Sequence, residues 1–181
     1  MLESPMVYSF HMANQQERSK IESWIVGFTD GEGCFSVSIF RNQTARLGWQ
    51  VFPVFVITQG KKSLPALETF ERYFGWGKIF VNKRYDNHRE HIYRYCIRNI
   101  SELGDVIVPF FRKNKLRTAK QEDFEMFARI VEMMLKNQHL SLKGMQIIAR
   151  KIEKMNRKVP SQFLKSSETT RRAPVKNRMK I

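Results

Sequence analysis

An acidic turn flanked by glycines is the segment of this 181-residue sequence with the clearest capacity for chemistry. Asp30 to Gly33 have the sequence Asp-Gly-Glu-Gly and directly follow an apolar, helix-like run. Because the carboxyl end of a helix is partly negative, two carboxylates there are unfavourable unless a cation neutralises them. Carboxylate and carbonyl oxygens are ligands that Mg²⁺ accepts, so the turn could hold a catalytic metal against a substrate phosphate. Taken alone, however, these four residues favour a plain acidic turn.

A predicted amphipathic helix places this turn. Its apolar residues recur at the spacing of one helical face and are Ile21, Trp24, Ile25 and Phe28. Ser19 is the candidate N-cap, and the helix is expected to end at Gly31 or Gly33. Gly27 lies inside the helix, where a glycine costs about 1 kcal/mol relative to alanine. We therefore expect Gly27 to allow a second helix to approach this backbone closely.

The segments after the turn predict two β-hairpins separated by a helix. Phe35, Val37 and Ile39 alternate with small polar residues, which is typical of a strand with one buried face. The second strand runs from Trp49 to Gln59, and its Pro53 suggests a bulge or an edge position. The remaining predicted elements of this core are a helix that Ser63 and Pro65 begin and Gly75 ends, strands from Lys78 to Lys83 and from Ile92 to Arg98, and a helix that Ser101 caps and that runs toward Pro109.

The order αββαββα predicts an α+β fold with a mostly antiparallel four-stranded sheet. Helices would cover one face of the sheet and leave the other free as a binding surface. Two further amphipathic helices follow, marked by Phe124, Phe127, Ala128, Val131, Met134 and Leu135 and by Leu142, Met145, Ile148, Ala149, Ile152 and Met155. We divide the chain into an N-terminal extension (1–18), a folded domain (19–155) and a basic tail (156–181).

The distribution of charge predicts a polyanionic partner. The formal net charge is +15, from 32 Lys and Arg against 17 Asp and Glu. Residues 34–121 hold 16 basic and 6 acidic side chains, and the tail holds 8 against 1. Such a surface favours nucleic acid because each neutralised phosphate releases counterions. A solvated basic face or attraction to a membrane surface are the alternatives. No run of about 18 apolar residues predicts a membrane span.

The segment from Trp24 to Phe35 resembles the signature of the LAGLIDADG family of homing endonucleases and related intron maturases. It shares an apolar helix with an interior small residue, two acids separated by glycine, and an immediate alternating strand. The resemblance extends from about residue 20 to 155 and implies a sheet that forms a DNA-binding saddle. The signature occurs once, which implies a homodimer whose motif helices pack across a two-fold axis. Its interface candidates are Trp24, Gly27, Phe28 and Asp30, of which Asp30 could instead be a structural residue at the helix end.

The resemblance also implies catalytic roles. Glu32 would be the metal-binding carboxylate and Gly31 would add a carbonyl ligand, while Gln59 would orient water near the scissile phosphate. The basic residue is expected after the second hairpin, where Lys120 is favoured over Lys115. The implied metal is Mg²⁺, with Mn²⁺ or Ca²⁺ bound without turnover as alternatives. The dimer would cut both strands of a long pseudo-palindromic DNA site across the minor groove and leave 3′ overhangs.

Polar side chains of the sheet are the candidate DNA readers, because a two-stranded ribbon fits the major groove. Lys78, Asn82 and Arg84 share one parity, and Arg94 and Arg98 share another, so each set is expected to line one face. The full set is Ser36, Ser38, Arg41, Gln43, Arg46, Gln50, Lys78, Asn82, Arg84, Arg94 and Arg98. For each residue, a phosphate contact or a solvated surface position is the alternative.

Two other functions remain open at this point. One is an RNA-binding intron maturase of the same fold, with intron RNA as partner, and the other is a DNA-binding protein without activity. The resemblance implies a gene inside an intron of an organelle or a bacterium. Residues 1–22 are not expected to form a transit peptide.

Overall fold

The computed structural model describes residues 15–83, 91–155 and 162–164. The helices are α1 (Gln15–Glu32), α2 (Leu64–Phe74), α3 (Ile100–Glu102), α4 (Val108–Lys113), α5 (Lys120–Leu135) and α6 (Leu142–Ile152), and the strands are β1 (Gly33–Arg41), β2 (Trp49–Gly60), β3 (Lys78–Asn82) and β4 (Ile92–Ile97). This order confirms the predicted α+β fold.

The four strands form one antiparallel sheet in the order β1-β2-β4-β3. Odd-numbered residues of β1 and β2 face the helices, so Phe35, Phe55 and Ile57 are fully buried. The centre of the Phe35 ring lies 5.3 Å from that of Phe111 and 5.2 Å from that of Phe124. The core therefore lies between the sheet and the helices, and the even-numbered face of the sheet stays open.

The motif helix α1 begins earlier than predicted. It starts at Gln15, so Ser19 lies inside the helix and is not its N-cap. Gln15 to Arg18 are good helix formers, and they extend the helix past the polar serine. The helix ends at Glu32 and β1 begins at the next residue, so no loop separates them. The predicted end of the helix is confirmed.

Pro53 lies at an edge position, as expected. It pairs with Val37 of β1, whereas the pairing of β2 with β4 begins only at Phe55. At Pro53, β2 therefore has a neighbour on one side only, and the missing N–H costs no ladder hydrogen bond. The predicted end of α2 is also confirmed, since Gly75 adopts a left-handed conformation at its C-cap.

The helix after β4 differs from the prediction at both ends. Asn99 is its N-cap, because its Oδ1 accepts hydrogen bonds from the N–H groups of Ser101 and Glu102. The predicted cap, Ser101, lies inside the helix. The helical run continues past Pro109 to Lys113 through a π-helical segment, Leu103–Ile107. A wider turn before Pro109 accommodates the proline ring that would otherwise crowd the preceding turn.

Helices α5 and α6 supply the core residues that their spacing predicts, with two exceptions. Leu135 and Leu142 are 44% and 53% exposed, since they lie at the end of α5 and the start of α6. In the predicted tail, Phe163 is buried and its ring lies 5.5 Å from that of Trp49. The domain boundaries themselves remain predictions. Within the described part of the chain, no helix is long and apolar enough to span a bilayer.

Candidate active site

The acidic turn lies where α1 joins β1. Glu32 is the last residue of α1 and is exposed. A Cβ built on Gly31 meets nothing within 4 Å, so this side of the turn is open, whereas one built on Gly33 would lie 2.6 Å from Thr29 Cγ2. Gly33 is thus required for the chain to pass directly from helix to strand. The result is a carboxylate presented to solvent at the negative end of a helix.

Asp30 fastens the link between α4 and α5 to the end of α1. Its carboxylate accepts hydrogen bonds from Arg117 N at 2.6 Å, from Thr118 Oγ1 at 2.7 Å and from Thr118 N at 3.3 Å. Burial raises the pKa of Asp30, but these hydrogen bonds and the Lys120 charge together lower it by more than burial raises it. The net shift is therefore downward. The ionised form therefore stabilises the fold above about pH 4, and this contribution is lost as the pH falls through the folded pKa. Asp30, a predicted interface residue, has this role within its own chain.

Lys120 is the lysine that the structure brings to the turn. Its Nζ donates to the carbonyl oxygens of Thr29 and Asp30, both at 2.8 Å. The ammonium thus caps the last carbonyls of α1, two residues before the exposed Glu32. Lys115 instead is exposed on the link.

Gln59 lies near the end of β2, close to the start of β1. Gly33 pairs with Ile57, so Gln59 lies two residues beyond the point where β1 leaves α1. Its neighbour on β4 is Tyr93. This register places Gln59 at the end of the sheet from which Glu32 projects.

Around Gly27 and Gly31, one side of α1 is not covered by any of the described residues. Trp24 is 38% exposed, and Gly27 is exposed, with nothing within 4 Å of an added Cβ. Phe28 is half-buried, and its ring lies 5.0 Å from Trp24 and 5.6 Å from Phe70. Of the four interface candidates, Trp24 and Gly27 are exposed among the described residues, whereas Phe28 and Asp30 are only partly exposed.

A buried acid fixes the orientation of α1. Glu22 is 8% exposed and accepts hydrogen bonds from Tyr73 Oη at 2.9 Å, Arg18 Nε at 3.1 Å and Lys113 Nζ at 3.3 Å. Burial raises its pKa, but these hydrogen bonds lower it more, so the net shift is downward. Burial, followed by the bond to Glu22, raises the pKa of Tyr73 to about 12. Glu22 thus joins α1 to α2 and α4.

The open face of the sheet carries most of the predicted DNA readers. Lys78 pairs with Cys96 and Phe80 with Arg94, so the two parity sets lie on one face and not on two. The antiparallel register pairs even-numbered residues of β3 with even-numbered residues of β4, which parity within single strands does not reveal. The predicted readers on this face are Ser36, Ser38, Gln50, Lys78, Asn82 and Arg94, and Arg98 follows at the end of β4.

The other predicted readers lie elsewhere. Arg41 ends β1 with its guanidinium 5.0 Å from the ring of its partner Trp49, and both residues are odd-numbered, the parity that faces the helices. Gln43 and Arg46 lie in the turn between β1 and β2, and Arg84 lies outside the described residues.

Sequence reasoning missed the aromatic residues of the open face, although their even-numbered positions in the strands would have indicated them. These residues are Phe40, Phe52 and Phe80. It also missed Thr118, whose bond to Asp30 spans 88 residues and leaves no local pattern.

The family profile described as LAGLIDADG endonuclease matches residues 25–131, which include the whole turn and sheet. The chain belongs to the LAGLIDADG endonuclease family. It is 37% identical to the homing endonuclease I-TnaI, with a TM-score of 0.71 over 82% of this chain and 96% of that one. The family assignment and the sheet architecture therefore agree with the resemblance in the sequence.

Other LAGLIDADG relatives are longer. A structure of I-SmaMI bound to cleaved DNA matches with a TM-score of 0.73 and 29% identity over 82% of this chain and 48% of that one, and another holds an uncleaved DNA target with calcium ions. "Probable intron-encoded endonuclease 2" of Neurospora crassa is 34% identical over 70% of this chain and 27% of that protein. The chain spans about a quarter of the length of the curated relatives that it matches first.

Proposed function

We propose that this chain is one half of a site-specific DNA endonuclease, and that a second copy of it completes the enzyme. The single observation that carries this proposal is the exposed carboxylate of Glu32 at the end of α1, beside Lys120 and at the margin of an open sheet face. The net charge of +15 suits a DNA backbone. The match to about half of the I-SmaMI chain supports the need for a second half.

The composition of the turn supports a divalent metal shared between two copies. Among the described residues, no cluster of three or more His, Cys, Asp or Glu side chains could hold a metal. Glu32 and the Gly31 carbonyl fit a hard cation, because both are oxygen donors at an open, negative helix end. They are too few for a complete site, so a second Glu32 and the phosphate oxygens would supply further ligands. Mg²⁺ is the ion that we propose, in keeping with these donors.

The residues around the turn divide the work of hydrolysis. When bound, the metal supplies charge stabilisation at phosphorus and lowers the pKa of a water molecule. Glu32 would hold the metal at the helix end, and the amide of Gln59 orients the attacking water. Lys120 offers an ammonium that neutralises the charge developing on the phosphate. One such turn from each copy would allow both DNA strands to be cut close together across the minor groove.

Removal of the Glu32 charge tests this function directly. We expect Glu32→Gln to bind the same DNA as the wild type but to make no double-strand cuts in a plasmid library with Mg²⁺, because its amide is a poor ligand for a hard cation. Glu17→Gln is the matched control, since Glu17 is exposed near the other end of α1. Cutting by Glu32→Gln at the wild-type rate would contradict the proposal. Binding of intron RNA without any DNA cleavage by the wild type would favour a maturase.

A further inference from the structure

A row of aromatic side chains crosses the open face of the sheet. Phe40 of β1 and Phe80 of β3 are each 42% exposed, and the ring of Phe52 on β2 lies 6.1 Å from that of Phe40. Exposed phenylalanines on a face that also carries Lys78 and Arg94 leave apolar surface in contact with water, which is unfavourable. These side chains therefore indicate a binding role for this face, since they do not pack in the core.

The guanidinium of Arg98 lies close to two of these rings. Its Cζ is 4.8 Å from the centre of the Phe80 ring and 6.0 Å from that of Phe52. Both distances are within the range of cation–π attraction, which holds a planar guanidinium against an aromatic face. The side chain is thus held in place before any ligand binds.

The donors of Arg98 remain available. Arg98 is exposed, and the ion pairs among the described residues involve Arg18, Arg112 and Lys113 instead. A guanidinium whose faces contact aromatic rings still presents its N–H groups along its edge. Two parallel N–H donors match two adjacent acceptors of a planar partner.

The position of Arg98 favours a base over a phosphate. It directly follows β4, one of the two inner strands of the sheet, and the ring of Phe52 belongs to the other inner strand. In the proposed complex the sheet would enter the major groove, as other β-sheet readers do, so side chains of the inner strands would lie against base edges. In the major groove, guanine offers the adjacent acceptors O6 and N7 to an arginine.

We propose that Arg98 is a specificity-determining residue that reads guanine, and that Phe52 and Phe80 position it. This inference rests on the proposed function, because it requires that the open face binds duplex DNA. It goes beyond that function by assigning one base to one side chain.

The test uses the full-length protein and randomised duplex DNA, selected for binding in calcium so that cleavage is not needed. The wild type is expected to select guanine at one position of each half-site. Arg98→Ala is expected to lose at least about tenfold of its discrimination at that position, with the preferences at other positions kept. Arg94→Ala is the matched control, since Arg94 is an exposed arginine of β4 four residues before Arg98, and it should leave the preference for this guanine unchanged.

The positioning role has a separate test. Phe80→Leu keeps an apolar side chain at an exposed site but removes the ring, so it should lower discrimination at the same position while Arg98 is still present. Phe40→Leu, which leaves both rings around Arg98 in place, should not.

Three outcomes would overturn the inference. One is a uniform loss of affinity for all sequences in Arg98→Ala with a shallower salt dependence, which indicates a phosphate contact. The second is an Arg98→Ala variant that keeps every base preference of the wild type. The third is an Arg98→Ala variant that loses a preference for adenine or thymine and keeps all its preferences for guanine. If the wild type bound no DNA at all, the proposed function itself would fail, and that result is distinct from sequence-specific binding that does not depend on Arg98.

Discussion

Lys120 occupies an unusual position for a single side chain, because one atom caps the last turn of α1 close in sequence to Glu32. Its Nζ bonds the Thr29 and Asp30 carbonyls, and Asp30 in turn holds the link that leads into α5. In the proposed enzyme, stability and catalysis would therefore overlap at this residue. A measurement that separates the two is needed to assign its role.

We predict that Lys120→Met lowers the rate of single-turnover DNA cleavage by about two orders of magnitude, the effect expected when one preorganised donor is lost. It should lower the free energy of unfolding by only about 1 kcal/mol, the usual net contribution of a partly buried hydrogen-bonded group. Rapid-quench cleavage assays and urea denaturation measure the two effects. Lys115→Met, which alters an exposed lysine of the same link, is the control and should change neither. A stability loss without a rate loss would make Lys120 a purely structural residue.

At the scale of secondary-structure elements, the direct junction of α1 and β1 depends on one glycine. A Cβ at Gly33 would lie 2.6 Å from Thr29 Cγ2 and 2.9 Å from the Thr29 carbonyl oxygen. Thr29 is fully buried and belongs to the rigid end of α1, so it has little room to move. The same substitution at Gly31 meets no atom within 4 Å.

Gly33→Ala is accordingly predicted to destabilise the fold by about 1–3 kcal/mol, the usual cost of overpacking. Gly31→Ala should leave stability unchanged or raise it by up to about 1 kcal/mol through its higher helix propensity. Chemical denaturation at one dilute protein concentration compares them, since self-association adds to apparent stability. Equal effects of the two substitutions would mean that the close contact with Thr29 does not constrain the junction.

Local patterns in the sequence predicted most elements but not the contacts between them. Alternation located β1 and β2, and Gly75 marked the end of α2. Ser101 was wrong as a cap because Asn99, two residues earlier, can reach the same N–H groups. The bond between Asp30 and Thr118 and the shared face of β3 and β4 depend on long-range register, which no local pattern contains. The turn containing Glu32 was found because its residues are contiguous.

At the scale of the whole molecule, the exposed side of α1 is where a second copy would complete the proposed active site. Gly27 and Trp24 lie on that side, and no side chain of the described residues fills the space above Gly27. In the proposed dimer, this surface would bring two copies of Glu32 close to one axis.

We predict that Gly27→Leu converts a dimer into a monomer, because the leucine would separate the two motif helices while pointing away from the core of its own chain. Sedimentation velocity measures the change. Arg129→Leu, which adds a leucine at an exposed position of α5, should remain dimeric. A dimer that survives Gly27→Leu would refute the packing of α1 against its copy.

The absence of a loop between α1 and β1 has a mechanical consequence. In the proposed dimer, α1 would lie at the two-fold axis and β1 over the DNA groove. The two elements would move as one rigid unit, so neither could shift along the duplex without the other. A target that gained or lost a base pair between its halves would leave one strand out of phase with its bases. New targets would then differ by base substitutions within each half-site, while the spacing between the half-sites stays constant.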